Sequence, residues 1–563
     1  MPAPIANPIP KSRGSILLLV LVAVVALTLG TGAYLALMQG EHRAVRRHGR
    51  QALCTSLAKS GIAYAQVLLA KTDESLAAVG GPFQNTTNLC GALVIDAAEP
   101  MDRGRFSVIA PTMVDGIYSG WTYGFEDESS KLHLNSLVTA GETDEEGPRN
   151  RLLALPGMTV EIADAILDWL DADSNVRVSG AEDEYYQGLN PPYLPANGPI
   201  GHLDELLQIR GVTPELLYGI DQNRNFAIDP GETPRGMLAE LDNSTGEITR
   251  GWAAYLTVDG VESFPQASGG KRINLNGPNL QTLYSELGQV LTDEQAKFLI
   301  LMRQYGAQQN LAGGQGQPPD GGPGGQRGGG QQPGAGQPSI VQSGGEQPGG
   351  GRQGRGGDPR QGANMVSAAA VQLDFQRQPA ANIGSLLDVV GATVQIAAEG
   401  SPPQTVTSPW QEGAGYAELM KLYDAATAAP VARVGGRINV NRAPRAVLRS
   451  IPGIDAATIE QIVMRRDGVY DPIAGPRRHA VWLLVESVVD LATMRALEPY
   501  VTGDGSVFSA QVLGYFDAGN DLARFHVVVD RSAATPQVVR IEDLAPLGRG
   551  FRPTAVGAQE SSP

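Results

Sequence analysis

The sequence predicts an α+β chain that combines a long N-terminal transmembrane helix, a β-sheet and a set of helical hairpins. Three observations carry this expectation. Ser15 to Met38 is 24 residues without a charge. Four stretches, "GRFSVIA" (104–110), "GWTYGFEDE" (120–128), "SVFSAQVLGYF" (506–516) and "ARFHVVVDR" (523–531), alternate well enough to be half-buried strands. "LLALPGMTVEIADAILDWLD" and "VLRSIPGIDAATIEQIVMRRDG" read as helix, tight turn, helix, with proline and glycine breaking the first helix and Ala163 or Ala457 letting the second pack closely.

The apolar stretch comes first in the chain. As a helix its 24 residues span about 36 Å, enough to cross a bilayer core with some tilt. It is too long for the apolar region of a secretory signal, and no A-x-A site follows it. The next segment, "GEHRAVRRHGRQALCTSLAKSGIAYAQVLLAKT", permits helix, and Leu53, Leu57, Tyr64 and Leu68 form one stripe along it. One helix over 15–71 is therefore expected, with its outer half packed on a soluble domain. The outer flank carries Arg43, Arg46, Arg47 and Arg50, and the leader only Lys11 and Arg13, a bias that taken alone would reverse the orientation.

Composition narrows the function. The net charge of -16 disfavours a nucleic-acid partner, and six histidines leave little room for imidazole metal chemistry. The Gly/Gln/Pro-rich stretch 313–365 has almost nothing apolar to bury and is expected to be a disordered linker. Cys54 and Cys90 could pair in an oxidising compartment or stand as two thiols. There is no G-x-S-x-G elbow, Walker loop, H-E-x-x-H or paired CxxC, so the expectation is a non-enzymatic protein.

A phrase recurs three times: "KLHLN" (131–135), "KRINLN" (271–276) and "GRINVN" (436–441). Each suits the end of a strand, with the asparagine expected to cap a following helix. From Asn276 to Gly288 and from Asn441 to Gly453 the spacing is twelve.

"DQNRNFAIDPGE" (221–232) is the sharpest local motif. Asp221, Asn223, Asn225, Asp229 and Glu232 fall at positions 1, 3, 5, 9 and 12, the oxygen spacing of an EF-hand calcium loop. Phe226 stands where that loop needs a glycine, and Pro234 opposes a normal exiting helix. The competing expectation is an Asn-rich turn. A second acidic group comprises Asp168, Asp171, Asp173, Glu182, Asp183 and Glu184. Within it Asp171, Asp173, Glu182 and Asp183 are the weaker candidate calcium ligands, and a solvated acidic loop is the alternative.

"KSRG" followed at once by an apolar helix resembles the cleavage site of type IV prepilins and type II secretion pseudopilins. The phrases "KLHLN…LLALPGM…ADAILDWLDAD…AEDEYYQGLNPPYLPANGPIGHLDELLQIRGVTPELL" resemble the α-helical domain of the type II secretion minor pseudopilin K (GspK) family, and "INVNRAPRAVLRSIPGI" resumes the likeness. The resemblance implies a pilin-like antiparallel β-sheet with a large inserted α-helical domain containing helix-hairpin-helix-like units. It implies removal of residues 1–14 by prepilin peptidase between Gly14 and Ser15, with Leu19 at mature position five, where most pseudopilins carry glutamate and protein K does not. It further implies bound calcium, a single-pass inner-membrane location with a periplasmic C-terminal domain, and a place in the pseudopilus tip with minor pseudopilins I and J and other pseudopilus subunits. On this basis the sheet domain begins over 72–135. The α-helical domain covers 136–312, a second helical-hairpin region 366–500, and C-terminal strands 501–555. Two rival expectations are a membrane-anchored, DNA-binding helix-hairpin-helix protein of a competence-type system and an uncleaved single-span scaffold. Thr159 and Asp455 replace the second turn glycine of a DNA-binding hairpin and oppose the former.

Overall fold

The structure is a computed structural model that describes residues 15–138, 146–263, 266, 268–309, 364–397, 403–413, 416–428, 433–466, 475 and 477–559. The leader with Gly14, and the Gly/Gln stretch apart from Asn364 and Met365, lie outside these residues. The chain divides into two units, one of residues 1–272 with 431–563, the other of residues 273–430. The division falls at the second and third copies of the repeated phrase and not at the glycine-rich stretch.

In the first unit, α1 (Ser15–Leu69) is one uninterrupted helix. Its apolar N-terminal part is bare on every side. From Arg50 on, one face packs against an antiparallel sheet. The sheet is formed by β1 (Ala92–Ile95), β2 (Gly104–Val114), β3 (Ile117–Tyr123), β4 (Glu126–Asp127), β5 (Val507–Phe516), β6 (Leu522–Asp530) and β7 (Gln537–Asp543). The order is β1-β2-β5-β6-β7, with β3 paired to β2 and β4 to β5. All 10 residues of β5 are buried, because α1 covers one face and the C-terminal Phe551 and Val556 cover part of the other. The helical insertion leaves the sheet after β4 and returns at β5.

The helix–sheet seam is made by Cys54, Leu57, Ala58, Ile62, Ala65, Leu68 and Leu69 against Phe106, Val108, Val512 and Val527. It corrects the expected leucine stripe: Leu53 is 49% exposed. Leu57 and Leu68 are buried as expected. At the closest approach a Cβ on Gly514 would meet the Cys54 carbonyl oxygen, so that point of the sheet is a glycine.

Cys54 and Cys90 are free thiols. Burial pushes the Cys54 thiol up to about 12. It lies in the seam with α1, whereas Cys90 lies beside Gly557, next to Val556 in the cluster on the other face. The pairing left open by the sequence is not made here.

The repeated phrase marks three modules of one design. Each opens with a two-residue strand and closes with a parallel partner: Leu132–His133 with Leu256–Thr257, Ile273–Asn274 with Ala426–Thr427, and Ile438–Asn439 with Val501–Thr502. The last asparagine of each phrase does not cap the following helix, as the sequence suggested. It staples a remote backbone instead. Asn135 exchanges two hydrogen bonds with Ile200 (2.9 and 2.8 Å). Asn276 does the same with Ile383 (both 2.9 Å) and also donates to Ala428. Asn441 donates to the carbonyls of Arg477 (2.6 Å) and Gly503 (2.8 Å). A side-chain amide offers a donor and an acceptor at once, which suits it to satisfy a buried loop backbone.

The second unit is one such module. Helices α2 (Leu280–Leu287) and α3 (Asp293–Tyr305) follow its opening strand. A four-stranded sheet of Asn364–Val366, Gln404–Thr407, Ala392–Ile396 and Gln308–Gln309, in that order, completes it. Trp410 is fully buried there beside Phe298.

Candidate functional site

The 221–232 loop follows the short helix Pro214–Tyr218. Asp221, 3% exposed, anchors it. Its two carboxylate oxygens accept the backbone N–H groups of Asn225 (3.0 Å) and Phe226 (2.7 Å). Burial raises its pKa; those hydrogen bonds, followed by Arg250, pull it back. Glu232 returns across the loop and accepts the N–H groups of Asn223 (3.2 Å) and Asp229 (2.9 Å). Asp229 accepts from the side-chain amides of Asn223 (2.6 Å) and Asn225 (2.9 Å). The five candidate ligands thus meet in one loop.

Phe226 adopts φ = +67°, the left-handed conformation that the sixth position of such a loop requires and that glycine would normally supply. Its ring lies under the Arg250 guanidinium (4.9 Å) and packs against the sheet cluster, which compensates the backbone cost. The buried Oδ1 of Asn223 has no hydrogen-bond partner, as expected of an oxygen reserved for a cation. The donor set fits a hard cation in chemistry, although no three His, Cys, Asp or Glu residues converge on a preformed cage among the described residues.

Sequence reasoning missed the base of this loop. Arg524 is buried in β6 and donates to the carbonyls of Asn223 (2.8 Å) and Arg224 (3.3 Å), and Gln511 in β5 donates to Arg224 (2.7 Å). Burial lowers the Arg524 pKa to about 10. The loop is therefore a bracket between the insertion and the sheet. Nothing local in sequence could announce partners roughly three hundred residues away.

The second acidic group is drawn around an internal cation. Arg177 Nη1 lies 2.7 Å from Asp168 and 2.5 Å from Asp171. Glu182 is buried with neither carboxylate oxygen bonded, and Asp171 Oδ1 is likewise unbonded. Burial first, then Asp168 and Asp171, push Glu182 up to about 7. Asp173 and Glu184 are exposed and Asp183 half-buried at the rim. Asp171 and Glu182 thus belong to one acidic pocket that Arg177 neutralises in part. Asp164, paired with Arg149 (2.6 Å), supports its floor and was not singled out from sequence.

The hairpin turns speak on anion binding. In the first module Glu146–Leu153 and Val160–Leu170 flank Gly157 (φ = +71°); in the third Arg445–Leu448 and Ala456–Arg466 flank Gly453 (φ = +77°). Two residues after each glycine, a side chain caps the second helix. Thr159 accepts from Ile162 N–H (3.4 Å) and Asp455 from Thr458 N–H (2.7 Å). A further turn of the same kind, Gly211 (φ = +82°) with Thr213 accepting from Leu216 (3.3 Å), escaped the sequence reading. A DNA-binding hairpin needs N–H groups of this kind for phosphate. Here one of them at each turn is held by the protein's own side chain. Hydrogen bonding to Thr458 holds the exposed Asp455 carboxyl below its ordinary range, so it opposes a phosphate with full charge.

Fold and site together define a protein with a long, bare apolar N-terminal helix, in which a helical insertion is bracketed onto a sheet that packs on the continuation of that helix. Residues 130–221 match the family model for "Type II secretion system (T2SS), protein K". That stretch of the chain is thus similar to the type II secretion protein K domain. Similar relatives include type II secretion system protein K of Aeromonas hydrophila, 52% identical over 58 residues (10% of this chain, 18% of the relative). That of Pectobacterium carotovorum subsp. carotovorum is 38% identical over 56 residues (10% and 17%). The chain thus spans less than a fifth of the length of these relatives in the matched stretches. A chain in the crystal structure of the GspK-GspI-GspJ complex of the enterotoxigenic Escherichia coli type 2 secretion system aligns with a TM-score of 0.35 at 10% identity, covering 89% of this chain and 99% of that one.

Proposed function

We propose that the protein is a minor pseudopilin of the type II secretion system, a structural and non-enzymatic subunit at the tip of the periplasmic pseudopilus. The observation that carries this reading is the protein K domain at 130–221, set in an insertion between β4 and β5 of a sheet that packs on a stem helix with a bare apolar end. The bare end would lie in the inner membrane, and in the pseudopilus would pack laterally on minor pseudopilins I and J and the other subunits. The domain beyond it would stand in the periplasm. Leu19 is 69% exposed on this helix and offers no carboxylate to a neighbour's terminal amine, which suits a subunit with nothing added above it. The helical hairpins would act as packing units and not as a DNA clamp.

The first test is the mature N-terminus. Mass spectrometry of membrane-extracted protein is expected to show a chain starting at Ser15 when prepilin peptidase is present and an intact leader when it is absent. A peptidase-independent start would leave an anchored scaffold.

We further propose that calcium braces the loops. Asp221, Asn223, Asn225, Asp229 and Glu232 would hold one ion through oxygen. Asp171 and Glu182, with Asp173 and Asp183 at the rim, would form a weaker second site once Arg177 swings aside. Calcium is expected to raise the thermal unfolding midpoint of the chelator-treated protein by several degrees. Asp229→Ala should remove most of that gain, while Asp173→Ala removes little. An unchanged midpoint with calcium would reduce both loops to hydrogen-bonded turns.

A further inference from the structure

Between the bare apolar part of α1 and the sheet domain, residues 39–49 are exposed on all sides. Arg43, Arg46, Arg47 and Arg50 follow here at intervals of three, one and three, which places them on one face of the helix. Arg50, at the domain end, shows where that face points. It pairs with Asp521 (2.9 Å), donates to the Met101 carbonyl (2.9 Å) and lies over the Phe516 ring (4.5 Å). The same face continues into Cys54 and Leu57, both buried against the sheet. Arg43, Arg46 and Arg47 therefore continue, exposed, the helix face that turns toward the sheet from Arg50 on, and Glu41 is the one carboxylate in that stretch of sequence.

Arg43 lies six residues beyond Leu37, about 9 Å along the axis. The polar layer on each side of a bilayer core is roughly 5–7 Å thick. The Arg43 backbone thus stands just above headgroup depth and those of Arg46 and Arg47 roughly 7–10 Å above it, and since helix side chains lean toward the N-terminus, their long stems carry the planar forks back toward the phosphate oxygens. The rest of the chain repels an anionic surface, since the whole molecule carries -16. The stripe also sits on the flank where a basic bias is least expected of a periplasmic domain, so membrane topology does not explain it.

We propose that Arg43, Arg46 and Arg47 form a docking surface for the phosphate headgroups of anionic phospholipids, which fixes the rotation of α1 and draws the acidic domain down onto the bilayer. The proposal rests on the reading of α1 as a membrane anchor. A neighbouring subunit's carboxylates are the competing occupant. The lipid is favoured because the stripe adjoins the apolar span directly.

The test places the full chain in nanodiscs of phosphatidylcholine alone or mixed with phosphatidylglycerol, and counts retained lipids by native mass spectrometry. Retention of phosphatidylglycerol over phosphatidylcholine is expected, weakening as salt rises. Each arginine should contribute about fivefold, so the Arg43→Gln/Arg46→Gln/Arg47→Gln variant should lose most of the preference. These positions are exposed and outside the core, so folding is not at stake, and the corresponding triple lysine variant should keep part of the preference. Equal retention of the two lipids by the unaltered chain overturns the proposal. So does a triple variant that keeps its lipid preference but loses binding to other pseudopilins, which would assign the stripe to a protein neighbour. Failure to enter either nanodisc would instead remove the anchor reading, and this proposal with it.

Discussion

Replacing Lys131 by methionine is expected to lower stability by about 3–5 kcal/mol at neutral pH, the cost of leaving buried carboxylates without their cation. Lys131 is 6% exposed. Its ammonium lies 2.7 Å from Glu128 and 3.0 Å from Glu126. Glu128 also accepts from Thr257 and Ser509, both at 2.5 Å. One carboxylate thus joins the edge of β4, the opening phrase of the first module, its closing strand and β5. Burial alone would raise the Glu128 pKa, but Lys131 and the two hydroxyls outweigh it and hold it at about 2. Because this is below the ordinary value of 4.5, the contribution is complete above about pH 4.5 and fades as pH falls towards 2. The penalty of the Lys131→Met variant should therefore shrink on acidification, as the stranded carboxylates take up protons. Adding Glu128→Gln should restore part of the loss. Urea unfolding of the full chain in detergent between pH 7 and about 2 measures both effects. A neutral Lys131→Met at pH 7 would mean that the cluster contributes nothing net.

The second large effect is expected at Gly514. A Cβ there would meet the Cys54 carbonyl oxygen at 2.2 Å and the Ala58 nitrogen at 2.3 Å, both helix backbone. Gly61 makes the converse contact, since its Cβ would meet Val512 at 2.7 Å and Phe106 at 2.9 Å. Backbone cannot rotate out of the way as a side chain can. Gly514→Val should thus force α1 off the sheet and cost more than about 3 kcal/mol. Gly49→Ala, on the same helix with nothing within 4 Å, should be neutral or stabilising by up to about 1 kcal/mol. Loss of near-ultraviolet circular dichroism and a lowered unfolding midpoint in the first variant, both unchanged in the second, would separate close packing from helix propensity. Equal behaviour would show that the seam is loose.

What was legible in the sequence follows from length and period. α1 was readable because 24 uncharged residues admit few other interpretations. Strands β2, β5 and β6 were readable from their β-branched and aromatic content. β1, with the four residues ALVI, and the two-residue closing strands were not, because so short a segment has no period. The three phrases announced repetition, but only the structure shows that their asparagines bond a remote backbone. That Asp221, Asn223, Asn225, Asp229 and Glu232 share one loop was readable because their spacing is local. Arg177 and Arg524 were not, since a buried arginine looks like a surface one until its distant partners are known. Phe226 looked incompatible with its position, and the cost it incurs is offset by contacts with the sheet cluster and Arg250 that sequence could not supply.

The parallel closing strands have an architectural consequence. Because each module ends beside the place where it began, it resembles a parenthesis in a sentence, complete in itself and grammatically optional. The second module opens at Ile273 and closes at Thr427 on neighbouring parallel strands, so it enters at one end of the pair and leaves at the other, and the flanking chain need span on the order of 10 Å without it. With its two ends so near each other, such a module would be removable as a unit without stretching the chain on either side of it.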